Sequence, residues 1–440
     1  MKLGKLGIVG IAIIFFVLAG FAQAVKEIKV GILLPLTGPL APTGRELRQG
    51  FETAIDIINN FYPELAQLGL AVAAWEGIPS LGGAKIVPIF ADTRGDPAIG
   101  ADLAKKLIEE EGVVALLGAY QSAVTKTVSA VAERYGIPHI NSDSSSPSLT
   151  QRGYEWFWRV TPHDIGFNGD LFNFLDGLVQ GKARGVPPIP KERIRKLALA
   201  VENTEWGVAG GDDIVKNHAP ARGYEVVEYI KYPHAAPDLT SEAMRLIASG
   251  ADCFLFYPYV ADAILWIKTL KALKAKPVLI WGQDAGFTNP DFVKACGKDI
   301  HGLLTRSLYI ARLAEVNPIA GGLNAVYRAR YGYDMVEESA REMVGAFVLA
   351  HALNNAGSTD PWAIKRALDT MKLPADQMPV PYGVEFGEQY PGDVRQNIHA
   401  IGLIGQYQYN PETGEVVLEI VYPFEWATAD LVFPFPGWKD

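Results

Sequence analysis

The sequence predicts an α/β protein built from two doubly wound, parallel-sheet lobes. Three observations carry this. Short apolar runs alternate with segments of helical spacing along most of the chain, the pattern of βαβ units with helices on both faces of a sheet. The alternation breaks at Thr161-Pro162 and then restarts. The 440 residues, 49% of them hydrophobic, suffice for two separate cores.

The first residues read as a secretory signal. Lys2 and Lys5 give the charged end, residues 8–18 form an apolar run broken only by Gly10, and Ala22-Gln23-Ala24 is an A-x-A cleavage site. The mature chain is expected to start at Val25, to be free of a lipid anchor and to be soluble outside the cytoplasm. An uncleaved membrane anchor is the alternative. A net charge of −9 with no long basic run argues against nucleic acid as a partner. Cys253 and Cys296 are the only cysteines, too few for a metal site or a disulfide framework, and two buried thiols are expected.

In the first run, residues 28–34 form a strand, and Thr43-x-x-Glu46 reads as a capping box for a helix with Leu47, Phe51, Ala54, Ile55 and Ile58 on one face. Residues 61–83 read as an irregular surface insertion. Residues 86–91 are the next strand, Asp96-Pro97 starts a helix that Gly112 ends, and residues 113–117 are a buried strand. Ser122 is placed to cap the helix that stops at Gly136. Residues 138–141 are a strand leading into Asp143 and three serines, and Pro147 keeps Ser146 out of helical conformation, so the serines lie in a loop.

The second run repeats the scheme. Strands are expected at residues 197–201, 224–229, 253–257, 278–281 and 302–306, with helices between them, one of them capped by Asp238. Helices follow from Asn317-Pro318, over residues 338–355, and from Asp360-Pro361. Residues 400–409 and 416–422 read as a hairpin. The tail, residues 423–440, is aromatic and Pro-rich, and its pattern assigns it to neither lobe.

In open α/β sheets a ligand sits beyond the carboxyl ends of the strands. The polar and aromatic residues there are Ser122, Asp143, Ser144, Ser145, Trp206, Tyr259 and Asp284, and they come from both runs. A ligand between two lobes is the economical reading. Serine hydroxyls and free N–H groups at a strand end suit a carboxylate. Asp284 suits an ammonium, and Trp206 and Tyr259 supply rigid walls with a polar edge. Each residue has a plainer reading too: Ser122 as a helix cap, Asp284 as a solvated loop acid, Trp206 as core. Tyr257 and Tyr259 lie on the same side of any strand they share, and Tyr259 is preferred for the cleft.

Several motifs, in order, carry a family resemblance: Gly31-x-x-x-Pro35-x-Thr37-Gly38-Pro39, Ala91-Asp92-Thr93-x-Gly95-Asp96-Pro97, Gly118-Ala119-Tyr120-Gln121-Ser122, Ser146-Pro147-x-Leu149-Thr150-x-x-Gly153-Tyr154, Ala236-Pro237-Asp238, Tyr257-Pro258-Tyr259 and Trp281-Gly282-Gln283-Asp284. The chain resembles the type I periplasmic solute-binding proteins of ABC importers, and more closely their leucine/isoleucine/valine-binding branch. The resemblance implies three hinge crossings, near Thr161-Pro162, Ser307 and Arg395-Gln396. One lobe then holds residues 25–160 and 308–395, the other residues 163–306 and 396–422, with residues 1–24 as the signal. It implies that Ser122 and Ser145 hold a ligand carboxylate. The Asp143 carbonyl, Tyr259 and Asp284 then meet its ammonium, and Trp206 lies in the cleft. Thr43 stands where some members have tyrosine, Asp284 where glutamate is usual, and Asp143 where small residues are usual.

The implied function is capture of a small amino-acid-like solute, a branched-chain amino acid first, for an ABC permease and ATPase at the membrane. An aromatic carboxylate, an amide or urea is the alternative solute, and a ligand sensor of the same fold the alternative role. The sequence holds no G-x-S-x-G, H-E-x-x-H, Walker loop or G-x-G-x-x-G, so an enzyme is not expected. No cofactor and no metal are expected, and the protein is expected to be a monomer.

Overall fold

Two parallel-dominated sheets, one from each run of the chain, frame a cleft. The computed structural model describes residues 26–438. The expected signal and cleavage site lie outside the described residues. Among the described residues no helix is long and apolar enough to cross a membrane.

The first run supplies β1 (Glu27–Leu34), β2 (Lys85–Asp92), β3 (Leu116–Gly118), β4 (His139–Asn141) and β5 (Phe157–Arg159). The second supplies β6 (Lys196–Glu202), β7 (Glu225–Tyr232), β8 (Cys253–Tyr257), β9 (Leu279–Gly282) and β10 (Leu304–Ser307). The chain then returns to the first sheet as β11 (Lys372–Leu373), β12 (Val384–Gly387) and β13 (Gln396–Asn397), and ends in the second as β14 (Leu403–Tyr409) and β15 (Val416–Tyr422). The sheet orders are β11-β12-β13-β5-β4-β3-β1-β2 and β15-β14-β10-β9-β8-β6-β7. β1 through β5 pair in parallel, as do β6 through β10, while β12, β14 and β15 run antiparallel to their neighbours.

This order places a topological switch point in each sheet, where β1 separates β2 from β3 and β6 separates β7 from β8. The loops after the central strands diverge there and leave a crevice. The strands beneath are apolar on both faces, as sheets covered by helices require: Val30, Ile32 and Leu34 in β1 and Leu197 through Val201 in β6 are fully buried.

The chain passes between the sheets three times, after β5, after β10 and after β13. The first and third passages lie side by side. Arg159 Nε donates to Gln396 Oε1 (2.6 Å), Gln396 Nε2 to the Thr161 carbonyl (2.8 Å) and Asn397 Nδ2 to the Val160 carbonyl (3.0 Å). The third passage begins after Asn397 and not at Arg395-Gln396, because Gln396 and Asn397 still pair with β5 and β12.

Several local expectations are corrected. The helix Ala41–Asn59 starts at Ala41, with Pro42 in its first turn, so Thr43 and Glu46 sit inside it and no capping box forms. The Glu46 carboxylate instead accepts from Tyr327 and Tyr333. Ser122 is the first residue of its helix and Gln121 occupies the cap position. Asp238 accepts from Thr240 N–H and Oγ1, but the helix Thr240–Ala248 follows Leu239. Residues 61–83 are not a loose surface insertion. They form three short helical turns that bury Leu65, Leu70, Val72 and Ile78, and Ser80 N–H donates to Asn354 of the helix Glu337–Ala356 (3.0 Å).

The tail, which the pattern left unassigned, runs along the second lobe. Gln406 Nε2 donates to the Val432 carbonyl, Phe435 N–H to the Val278 carbonyl and Trp438 Nε1 to the Ala275 carbonyl. Both cysteines are buried free thiols.

Candidate functional site

The seven residues singled out in the sequence line one pocket between the sheets, together with Tyr120, Ala285 and Arg341. Each comes from the loop or helix start after a strand. Ser122 follows β3, Asp143 through Ser145 follow β4, Trp206 follows β6, Tyr259 follows β8 and Asp284 follows β9.

On the first-lobe side Ser122 opens the helix Ser122–Tyr135, where N–H groups of the first turn have no helical partner. Its Oγ accepts from Ser146 N–H (3.3 Å). Ser144 is spent on the loop itself: its Oγ lies within hydrogen-bond distance of the Ala119 and Tyr120 carbonyls, and its N–H donates to Asn141 Oδ1. Ser145 Oγ donates to Asp164 Oδ1 (3.1 Å). Asp143 is fully buried and neither of its carboxyl oxygens has a hydrogen-bond partner. Burial pushes that carboxyl up to about 6, against the pull of the neighbouring Glu342 and Arg341.

The second-lobe side is aromatic and acidic. The Trp206 ring lies 5.1 Å from that of Tyr259 and 5.5 Å from that of Tyr257, and Tyr120 reaches across to Tyr259 at 5.7 Å. Tyr257 turns its hydroxyl away, to Asn168 Oδ1 (2.5 Å), which leaves Tyr259 on the pocket. Behind Tyr259, Glu202, His234 and Asp262 bring ligand atoms within 4.8 Å of one another. They are held by hydrogen bonds among themselves and to the backbone. Glu202 Oε2 pairs with His234 Nδ1 (2.6 Å), Glu202 Oε1 accepts from Tyr259 N–H (2.6 Å), and Asp262 Oδ2 accepts from Ala235 N–H (3.0 Å). That network fixes the Tyr259 backbone.

Asp284 is not a free acid. Its φ of +22° and that of Ala285 (+37°) turn the loop sharply back on the cleft, a strained conformation for residues with a side chain. There Oδ2 meets two guanidiniums, Arg306 Nη1 at 2.9 Å and Arg341 Nη2 in direct contact. Arg341 also grips Glu337 through Nε and Nη2, and Nη1 donates to the Asp143 carbonyl (3.2 Å). Burial opposes the Arg341 charge, but Glu337, Asp284 and Asp143 outweigh it and hold its pKa well above the ordinary value.

Arg341 and Arg306 were missed in the sequence. The available signal was Glu337-Glu338-x-x-Arg341-Glu342, a charged knot opening an otherwise apolar helix. Buried charge of that kind has to be paired. Further groups cross the cleft: Ser148 Oγ to Glu205 Oε1 (2.8 Å), Lys126 Nζ to Glu205 Oε2 (3.2 Å) and Thr288 Oγ1 to Glu338 Oε1 (3.0 Å). With these contacts made, the two lobes are closed on each other.

Two α/β lobes joined by three passages, with a pocket at the facing switch points, define a two-lobed binding protein. The chain belongs to the periplasmic binding protein family, which its residues 27–394 match. A Leu/Ile/Val-binding protein homolog of Brucella abortus is 28% identical over 418 residues, 94% of each chain. Among solved structures, a leucine-binding protein of Thermotoga maritima aligns with TM-score 0.72 and 19% identity, over 90% of this chain and 99% of that one. A solute-binding protein of an ABC transporter from Rhodopseudomonas palustris, in complex with 3,4-dihydroxybenzoic acid, aligns with TM-score 0.71 and 19% identity, over 93% and 99%.

Proposed function

We propose that the protein is the extracytoplasmic solute-binding component of an ABC importer, that it closes on a small carboxylate-bearing solute, and that it delivers this solute to a membrane permease. One observation carries the reading. Residues from both lobes converge on a single pocket with hydroxyls and a helix start on one side and aromatic walls on the other. Ser122 and Ser145 hold the carboxylate, Trp206 and Tyr259 flank the body of the solute, and Asp143, Ser144 and Asp284 complete the wall. Binding selects the closed form, because only a bound solute compensates the pocket groups for lost water. The protein acts as a binder and not as an enzyme.

The Brucella relative's name favours a branched-chain amino acid, and the Rhodopseudomonas complex favours an aromatic acid as the second reading. A thermal-shift screen of unfolded and refolded protein tests the function with amino acids, benzoate-type acids, amides and urea. A ligand at one hundred times its Kd adds about 2.7 kcal/mol and raises Tm by a few degrees. Shifts with amides or urea alone would remove the carboxylate cradle.

A further inference from the structure

The choice between an amino acid and a simple acid turns on where an ammonium would sit. An ammonium carries three donors and a full charge, so a closed pocket has to offer it acceptors with negative character. The pocket's second-lobe acid is Asp284, and its Oδ2 is already shared by Arg341 and Arg306. The Asp143 carbonyl of the serine loop already accepts from Arg341 Nη1 at 3.2 Å. The guanidinium is fixed from behind by Glu337 and cannot swing clear without leaving that carboxylate buried and alone.

We propose that the solute is a carboxylic acid without an ammonium group, and that Arg341 sets this specificity by filling the place an ammonium would need. The inference rests on the reading of the cleft as a carboxylate site. An amino acid would bring its positive group against the Arg341 guanidinium in a low-dielectric pocket, where like charges repel strongly. A bare carboxylate finds its donors in Ser122 Oγ, the first N–H groups of the helix Ser122–Tyr135, and the hydroxyl of Tyr120. Tyr120 lines the pocket, and its hydroxyl is buried and has no partner. Burial also pushes Glu338 and Glu342 far up, and Glu337 up to about 7, so these neighbours do not add negative charge in proportion to their number. The rings of Trp206 and Tyr259, tilted 38° to each other, suit a flat or branched apolar body. Asp143 is the one pocket acid that no cation touches closely, with Arg341 Nη1 4.0 Å from its Oδ1. Burial raises both its carboxyl and that of the neighbouring Glu342, which disfavours two negative charges side by side.

Matched pairs test this by calorimetry on the unfolded and refolded full chain: leucine against 4-methylpentanoate, phenylalanine against 3-phenylpropionate, and 4-hydroxyphenylglycine against 4-hydroxyphenylacetate. The acid should bind at least about tenfold tighter than its amino partner. An amino acid that matches or exceeds its acid would overturn the inference and leave the carboxylate cradle standing; Asp143→Asn would then show whether Asp143 is the ammonium's partner. Heat from no member of any pair would overturn the cradle and the inference together. Arg341→Ala should narrow the gap within a pair by admitting the amino acid. The wild-type comparison decides the matter even if that variant does not fold.

Discussion

Arg341 Nη2 and Asp284 Oδ2 form an ion pair across the cleft, from the helix Glu337–Ala356 of the first lobe to the loop after β9 of the second. Both residues are buried, and Arg306 and Glu337 extend the pair into a chain of four charges. A buried pair of this kind is poor evidence of net stabilisation, but breaking it from one side is costly because the abandoned charge stays buried.

Arg341→Met should therefore destabilise the protein by roughly 3–5 kcal/mol. Without the guanidinium, Glu337, which burial already pushes up to about 7, gains its proton still more readily in the folded state than in the unfolded one. The loss should be larger at pH 8 than at pH 5, where protonation relieves it. Urea unfolding at the two pH values reads both. A loss below about 1 kcal/mol at pH 8 would mean that the lobes part and water reaches the carboxylates.

A second pH effect centres on Asp164, beneath Ser145. Burial pushes its carboxyl up to about 7, with Arg306 and the Ser145 hydroxyl pulling the other way. A carboxyl raised on folding binds its proton in the folded state first, so its contribution to stability is lost as pH rises from its unfolded value through about 7. Asp164→Asn mimics the protonated form. The variant should gain on the wild type as pH rises from 4 to 8, with no difference at the acid end. His139 and His163, lowered to about 4 by burial, give wild type and variant the same opposing slope and cancel in the comparison.

The alternation of strand and helix was legible because buried parallel strands and amphipathic helices leave different periods in the sequence. The pocket residues were legible because the switch-point rule places them at strand ends before any contact is known. Arg341 was not, because it stands 57 residues from Asp284, and nothing in its own helix says which acid it will meet. The strands β11, β12 and β13 are too short, at two to four residues, to show a period. The capping box failed for a local reason: Pro42 in the first turn let the helix begin ahead of Thr43.

The helices Ala41–Asn59 and Glu337–Ala356 touch backbone to backbone at Gly50. A Cβ built there would lie 2.4 Å from the Ser339 carbonyl oxygen and 2.7 Å from Ser339 Cα. Neither atom is the free end of a side chain, so the helices would have to separate. Gly50→Ala should cost about 1–3 kcal/mol as an overpacked contact. Because the second helix carries Arg341, the change should also weaken solute binding. A neutral effect on urea unfolding would show that the helix pair can slide.

Ser122 separates a structural role from a binding one. As a helix cap its loss would cost fold stability, but Gln121 holds the cap position, and Ser122 Oγ accepts only a long bond from Ser146 N–H at 3.3 Å. Ser122→Ala should therefore change apo stability by less than about 1 kcal/mol. A hydrogen bond to a charged carboxylate contributes about 1.5–3 kcal/mol, so solute affinity should fall by roughly 10- to 150-fold. Ser122→Thr keeps the hydroxyl and should recover part of that affinity. Calorimetry and urea unfolding on both variants read the two effects separately. An apo protein destabilised by several kcal/mol with affinity unchanged would return Ser122 to the scaffold and move the carboxylate cradle to Ser145 and the helix N–H groups alone.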